Sequence, residues 1–148
     1  MFIRFLIVSV GVFLVGHASA LAGTVTVVPS AALRNSKGMF RCAMFANSDG
    51  YPTEHLKAAV RVSAEIRNGE AVCTFKDVPA GDYAFTVLHD ENDNMTMDNH
   101  QTGMPLEGFG ASNDAEPGLK TPPTFEDAVI KVTAEAQRLS LVIRYFEL

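Results

Sequence analysis

Residues 60–67 read Val60-Arg61-Val62-Ser63-Ala64-Glu65-Ile66-Arg67, residues 68–69 are Asn68-Gly69, and residues 70–76 read Glu70-Ala71-Val72-Cys73-Thr74-Phe75-Lys76. Val60, Val62, Ala64 and Ile66 alternate with Arg61, Ser63, Glu65 and Arg67. That period of two belongs to a half-buried antiparallel strand, because successive side chains of a strand point to opposite faces. Asn-Gly is the strongest short hairpin signal, since a type I′ turn needs positive φ at both central residues. The return strand, Glu70 to Lys76, then turns Ala71, Cys73 and Phe75 inward.

The same pattern continues on both sides. Upstream lie Thr24 to Val28 (TVTVV) and Met39 to Phe45 (MFRCAMF). Downstream, the turn Pro79-Ala80-Gly81-Asp82 launches Tyr83 to His89, and Ala128 to Thr133 and Arg138 to Phe146 follow. In the last of these Leu139, Leu141, Ile143 and Tyr145 share a face. Helix signals are few. Thr53 N-caps a short helix over 53–59, and Thr124 caps a helical turn leading to Ala128. Seven short strands separated by turns predict an all-β chain, a seven-stranded antiparallel β-sandwich.

The chain starts with one basic residue, Arg4, then an apolar run from Phe5 to Gly16 and an Ala18-Ser19-Ala20 end. This is the pattern of a cleavable export signal, too short to span a bilayer comfortably. Residues 1–20 are therefore read as a signal peptide, with cleavage after Ala20, or after Ala22 as second choice. Residues 21–148 then form one domain of ordinary size. It is expected to be soluble and monomeric, in the periplasm or secreted. Arg4 is the only charge in the signal, so its removal takes the formal charge from −5 to −6. An acidic domain is not expected to bind nucleic acid, which takes clustered Lys and Arg. Cys42 and Cys73 are the two cysteines, and an oxidising compartment pairs them. Such a bridge contributes about 3 kcal/mol by closing the intervening loop in the unfolded chain.

Residues 90–127 break the alternation. They hold nine acids, Asp90, Glu91, Asp93, Asp98, Glu107, Asp114, Glu116, Glu126 and Asp127, against one base, Lys120. The segment therefore carries −8, while the rest of residues 21–148 sums to +2. A loop this long in a compact domain is usually functional or disordered. Within it, Asp90-Glu91-Asn92-Asp93-Asn94-Met95-Thr96-Met97-Asp98 places oxygen side chains at alternate positions. Calcium takes six to eight oxygens, and a looping chain turns alternate residues inward together. Asp90, Asn92, Asn94 and Asp98 would give side-chain oxygens to calcium, and Thr96 a backbone carbonyl. The competing reading is a solvated acidic tip held by Asx-turns with no metal.

His89 and His100 bracket this loop. With nearby carboxylates they would form a zinc or copper site, or the acid–base pair of a hydrolase. No metalloprotease spacing or nucleophile elbow supports that alternative. The alternation puts His89 on the face of Tyr83, Phe85 and Val87, as a hydrogen-bonded, partly buried residue. In Gly103 to Asn113 (GMPLEGFGASN), Glu107, Phe109, Ser112 and Asn113 are candidate ligand contacts, with Phe109 either a stacking ring or a plug.

These motifs together resemble a family of uncharacterised exported bacterial proteins, a domain of unknown function. The resemblance rests on Pro79-Ala80-Gly81-Asp82-Tyr83-Ala84, on His89 to Asn94 with Asp98, and on Gly103 to Asn113. It covers essentially all of residues 21–148. The family pattern tends to have Gly where this chain has Asp93 and Met95. More loosely, Phe75 to Tyr83 is similar to a turn of transthyretin-like and carboxypeptidase regulatory-like sandwiches. Those resemblances imply a prealbumin- or Ig-like sandwich and a binding or stabilising module. The overall expectation is an exported binding or structural module for an envelope or surface glycan, peptide or protein, with its acidic loop ordered by calcium.

Overall fold

The computed structural model describes residues 22–118 and 121–146. The expected signal peptide, and the choice between Ala20 and Ala22 as its end, fall outside or at the margin of these residues. Eight strands form two facing sheets: β1 (Ala22–Pro29), β2 (Met39–Phe45), β3 (Val60–Glu65), β4 (Cys73–Pro79), β5 (Gly81–Asp90), β6 (Gly108–Ala111), β7 (Ile130–Val132) and β8 (Gln137–Leu141). One sheet has the order β4-β1-β8, and the other β3-β2-β5-β6, with β7 added against the start of β5. Neighbours are antiparallel except β1 and β8, which run parallel from Val25↔Gln137 to Pro29↔Leu141. The fold is thus the expected β-sandwich, with one more strand than expected and one parallel pair.

The extra strand is β6, which lies inside the acidic segment and divides it. Its glycine-rich sequence gave no alternation to read. The glycines are there because the C-terminal segment crosses close by. A Cβ on Gly108 would sit 2.3 Å from the Tyr145 ring, and one on Gly110 2.4 Å from the Val142 carbonyl oxygen. Expected strand 138–146 accordingly ends at Leu141, after which the chain swings over to β6. Phe109 N–H donates to the Arg144 carbonyl at 3.0 Å, and Arg144 N–H to that of Phe109 at 2.8 Å.

The Asn68-Gly69 turn forms as expected, with φ of 53° and 77° and reciprocal Arg67–Glu70 hydrogen bonds of 2.9 and 3.0 Å. It does not continue into a hairpin. β3 stays in one sheet while β4 leaves to pair with β1, Phe75 lying opposite Val25. Both flanking segments carry an apolar face, and they bury those faces against each other across the sandwich. Ile66, Ala71, Cys73 and Phe75 all lie in the core.

The interior is built from Phe40, Phe75, Phe85, Val25, Val27, Val78 and Val132, with Phe75 and Phe85 meeting edge to face at 5.2 Å. Cys42 of β2 and Cys73 of β4 form a disulfide between the two sheets, their Cα atoms 6.4 Å apart. Among the smaller elements, residues 53–59 form only a 3-10 turn at His55–Lys57, preceded by Glu54 instead of Thr53. Thr124 does cap the turn Phe125–Ala128, its hydroxyl accepting from Asp127 N–H at 3.2 Å. Among the described residues no helix is long and apolar enough to cross a membrane.

Candidate functional site: the loop between β5 and β6

β5 delivers His89 and Asp90 to the base of the acidic loop, on opposite faces of the sheet. Both side chains are wholly buried. The Asp90 carboxylate accepts from the Arg41 guanidinium, from Met95 N–H at 2.9 Å and from Asn94 N–H at 3.0 Å. Burial alone would raise its pKa. Arg41 and the two amides outweigh that and hold Asp90 below the ordinary carboxylate range. Arg41 also reaches Ser63 Oγ at 3.1 Å and the Asp93 carboxylate. One guanidinium thus ties three strands and the loop together.

Asp93 and Met95 have φ of 60° and 70°. That is the left-handed conformation, which L side chains adopt at a cost. The Asp90 hydrogen bonds to Asn94 and Met95 hold that backbone in place.

A second tie is made by Glu107, also buried. One of its oxygens accepts from Glu91 N–H at 2.8 Å and the other from Asp98 N–H at 3.1 Å. Leu106 N–H donates to the Asp98 carbonyl, and His100 N–H to that of Met104, both at 2.8 Å. A third tie lies on the core side. His89 Nε2 stands 3.0 Å from the Lys37 carbonyl, which can only accept, so Nε2 carries the proton in the neutral ring and Nδ1 accepts from the Tyr145 hydroxyl at 2.7 Å. Arg34 lies over the Tyr145 ring at 4.6 Å and donates to Glu91 at 2.7 Å and to the Leu106 carbonyl at 2.8 Å. Burial raises Glu91 while Asn35 and Arg34 lower it further, so its net pKa is lowered. Desolvation raises that of Tyr145.

Of the expected calcium ligands, the structure gathers Asn92, Asn94 and Asp98. Asn92 Nδ2 donates to Asp98 at 2.6 Å and Asn94 Nδ2 at 3.1 Å. Asn94 Oδ1 accepts from Thr96 N–H at 2.9 Å and from its hydroxyl at 3.0 Å. Asp90 is not part of this knot, having both oxygens engaged with Arg41 and the backbone. Among the described residues no three His, Cys, Asp or Glu side chains come together closely enough to hold a metal ion. His89 and His100 are not brought together either. His100 is exposed and pairs with Thr102 Oγ1 at 3.0 Å, while His89 is sealed in the core.

The four candidate ligand contacts are engaged within the domain. Glu107 is the tie just described. Phe109 stacks on Phe146 with centroids 5.8 Å apart. Ser112 Oγ accepts from Phe85 N–H at 2.9 Å and donates to the Ala128 carbonyl. Asn113 donates to the Asp127 carbonyl at 2.8 Å, from a left-handed backbone with φ of 58°.

Sequence reading assigned no functional role to Arg41, Arg34, Asn35 or Tyr145, whereas Glu91, expected only as an acid near the calcium loop, pairs with Arg34 and Asn35. A signal existed for Arg41, since a guanidinium inside the apolar strand MFRCAMF needs an acid beside it. Arg34 and Tyr145 carried none, because 111 residues separate two groups that only the fold joins.

Comparison with known families now gives the class. The family described as "Uncharacterized protein conserved in bacteria (DUF2141)" matches residues 28–140. The chain belongs to that family, and the match spans the disulfide, the loop and the Asp90 and Glu107 ties. No curated protein and no solved structure shows significant similarity to it.

Proposed function

We propose that this protein is an exported binding module that presents residues 92–106 as a preorganised recognition loop. The observation that carries the reading is the anchoring. Buried Asp90 and Glu107 hold both limbs of the loop by its own backbone amides, while Asn92 to Thr96 and Asn99 to Gly103 stay exposed. A loop ordered before contact loses less conformational entropy on binding. Export fits the disulfide, which belongs to oxidising compartments, and the apolar N-terminal segment. The partner is a glycan, peptide or protein of the cell envelope or surface.

Calcium enters this reading at Asn92, Asn94 and Asp98, with the Thr96 carbonyl as a further ligand. Asp98 has two carboxamides around it and no ion-pair partner among the described residues. Rotating each carboxamide by a half turn exchanges its N–H for an oxygen. One carboxylate and two amides make a weak site, in the roughly 10⁻⁴–10⁻³ M range of extracellular modules.

A diazirine cross-linking residue placed at exposed Thr102, and at exposed Lys76 on the other sheet as control, tests the binding reading in the exported protein. Adducts to one envelope component from position 102 and none from 76 are expected. Absence of adducts at 102, or equal labelling at both positions, rejects it.

A further inference from the structure

The two sides of the sandwich are finished differently. On one side the segment after β8 crosses to β6 and closes the gap with the Phe109–Arg144 pair. On the other, β3 ends one sheet and β4 ends the other, with no strand beyond either among the described residues. An open edge offers unpaired N–H and C=O groups to any chain that can lie along it.

The β3 edge carries few of the devices that blunt such edges. It is paired with β2 without a bulge from Met39↔Glu65 to Met44↔Val60, and it contains no proline or lysine. Of the six large apolar residues exposed among the described residues, Val60 lies in β3 itself, Leu56 shortly before it and Val72 just before β4. A shallow depression of about 470 Å³ lies at its end, between Ala64, Glu65 and Val72.

We propose that β3 pairs with β3 of a second copy of this chain, antiparallel about a two-fold axis at Ser63. The sequence of the edge selects both occupant and register. Centring on Ser63 sets Arg61 opposite the second copy's Glu65, Val62 opposite Ala64 and Val60 opposite Ile66, each pair occurring twice by symmetry. Opposite charges facing each other across a strand pair are favourable. A slip of one residue places Arg61 against Ala64 and mismatches the two faces of the sheet. Centring on Val62 keeps the faces but leaves Arg61 against Ser63. Over residues 60–66, only the Ser63 register sets opposite charges facing each other. Within the chain, Arg61 has no ion-pair partner among the described residues, and Glu65 meets only Arg67, which is more exposed still. The inference does not depend on what the acidic loop binds.

Sedimentation velocity on residues 21–148, from micromolar to millimolar, reads the equilibrium. A monomer–dimer equilibrium is expected. R61E and E65R each set like charges opposite one another twice, and each should weaken the dimer by about tenfold or more. Both positions are exposed, so thermal midpoints should stay near that of the parent. An equimolar mixture of the two single variants should dimerise again, as should the double variant R61E/E65R. A chain that stays monomeric at all concentrations, a dimer indifferent to the reversals, or a mixture that fails to associate overturns the proposal.

Discussion

Arg41, half-buried, donates to fully buried Asp90 in an ion pair that joins β2 to the end of β5, directly beneath the exposed loop. Removing one partner of such a pair leaves the other charge buried and uncompensated, which costs about 3–5 kcal/mol. Arg41→Ala is therefore expected to lower stability by about that much, and Asp90→Asn by less, because the amide oxygen still accepts from Asn94 or Met95. Denaturant unfolding of both variants measures the difference. An Arg41→Ala variant as stable as the parent would mean the pair does not hold the loop.

The same pair sets the response to acid. Asp90 and Glu91 have pKa values lowered by folding, so each contributes stability that is fully present above its unfolded value and is lost as pH falls through its folded value. Unfolded carboxyls titrate at about 4. Stability from these two groups is thus constant from neutrality down to about pH 4 and falls below it. The Arg41→Ala variant should show a shallower acid limb, since Asp90 has then lost its largest stabilising partner. An equally steep limb in parent and variant counts against this assignment.

The β class, the sandwich, the disulfide and the Thr124 cap were legible because each rests on local spacing or composition. Period-two runs name strands, Asn68-Gly69 names a turn, and two cysteines behind an export-type N-terminal pattern name a bridge. What stayed hidden depends on distance along the chain. Whether Glu70 to Lys76 folds back on β3 or crosses to β1 is decided by Val25 and Val27, which no local pattern connects to it. β6 was unreadable because Gly108 and Gly110 answer to the approach of Tyr145 and Val142. The loop was legible as a special segment, and the positions of Asn92, Asn94 and Asp98 were legible as neighbours. That Asp90 serves Arg41, and that Glu107 clasps two backbone amides, required the fold.

Gly108 offers a direct test of that closure. A Cβ there meets the Tyr145 ring and the Ile143 side chain of the same crossing segment, and the Tyr145 hydroxyl is hydrogen-bonded to buried His89. Gly108→Ala should displace the C-terminal segment and cost on the order of 1–3 kcal/mol, as overpacking does. Amide exchange at Phe109 and Arg144, which pair with each other, should rise more than exchange in β2. Uniform exchange changes across both sheets would show instead that the closure unfolds only with the whole domain.

Calcium binding separates Asp98 from Asp90. In the structure Asp98 collects Asn92 and Asn94 at the loop surface, whereas Asp90 is sealed beneath with Arg41. If calcium sits on the surface knot, Asp98→Asn should abolish the calcium-induced rise in thermal midpoint without lowering the metal-free midpoint much, because the carboxylate there is half-exposed. Asp90→Asn should lower the metal-free midpoint and leave a calcium increment behind. Calcium at about a hundred times its dissociation constant adds about 2.7 kcal/mol, several degrees for a domain of this size. Loss of the increment in Asp90→Asn alone would move the ion down to the Arg41 pair. No increment in the parent protein would leave the loop ordered by Arg41 and Glu107 without a metal.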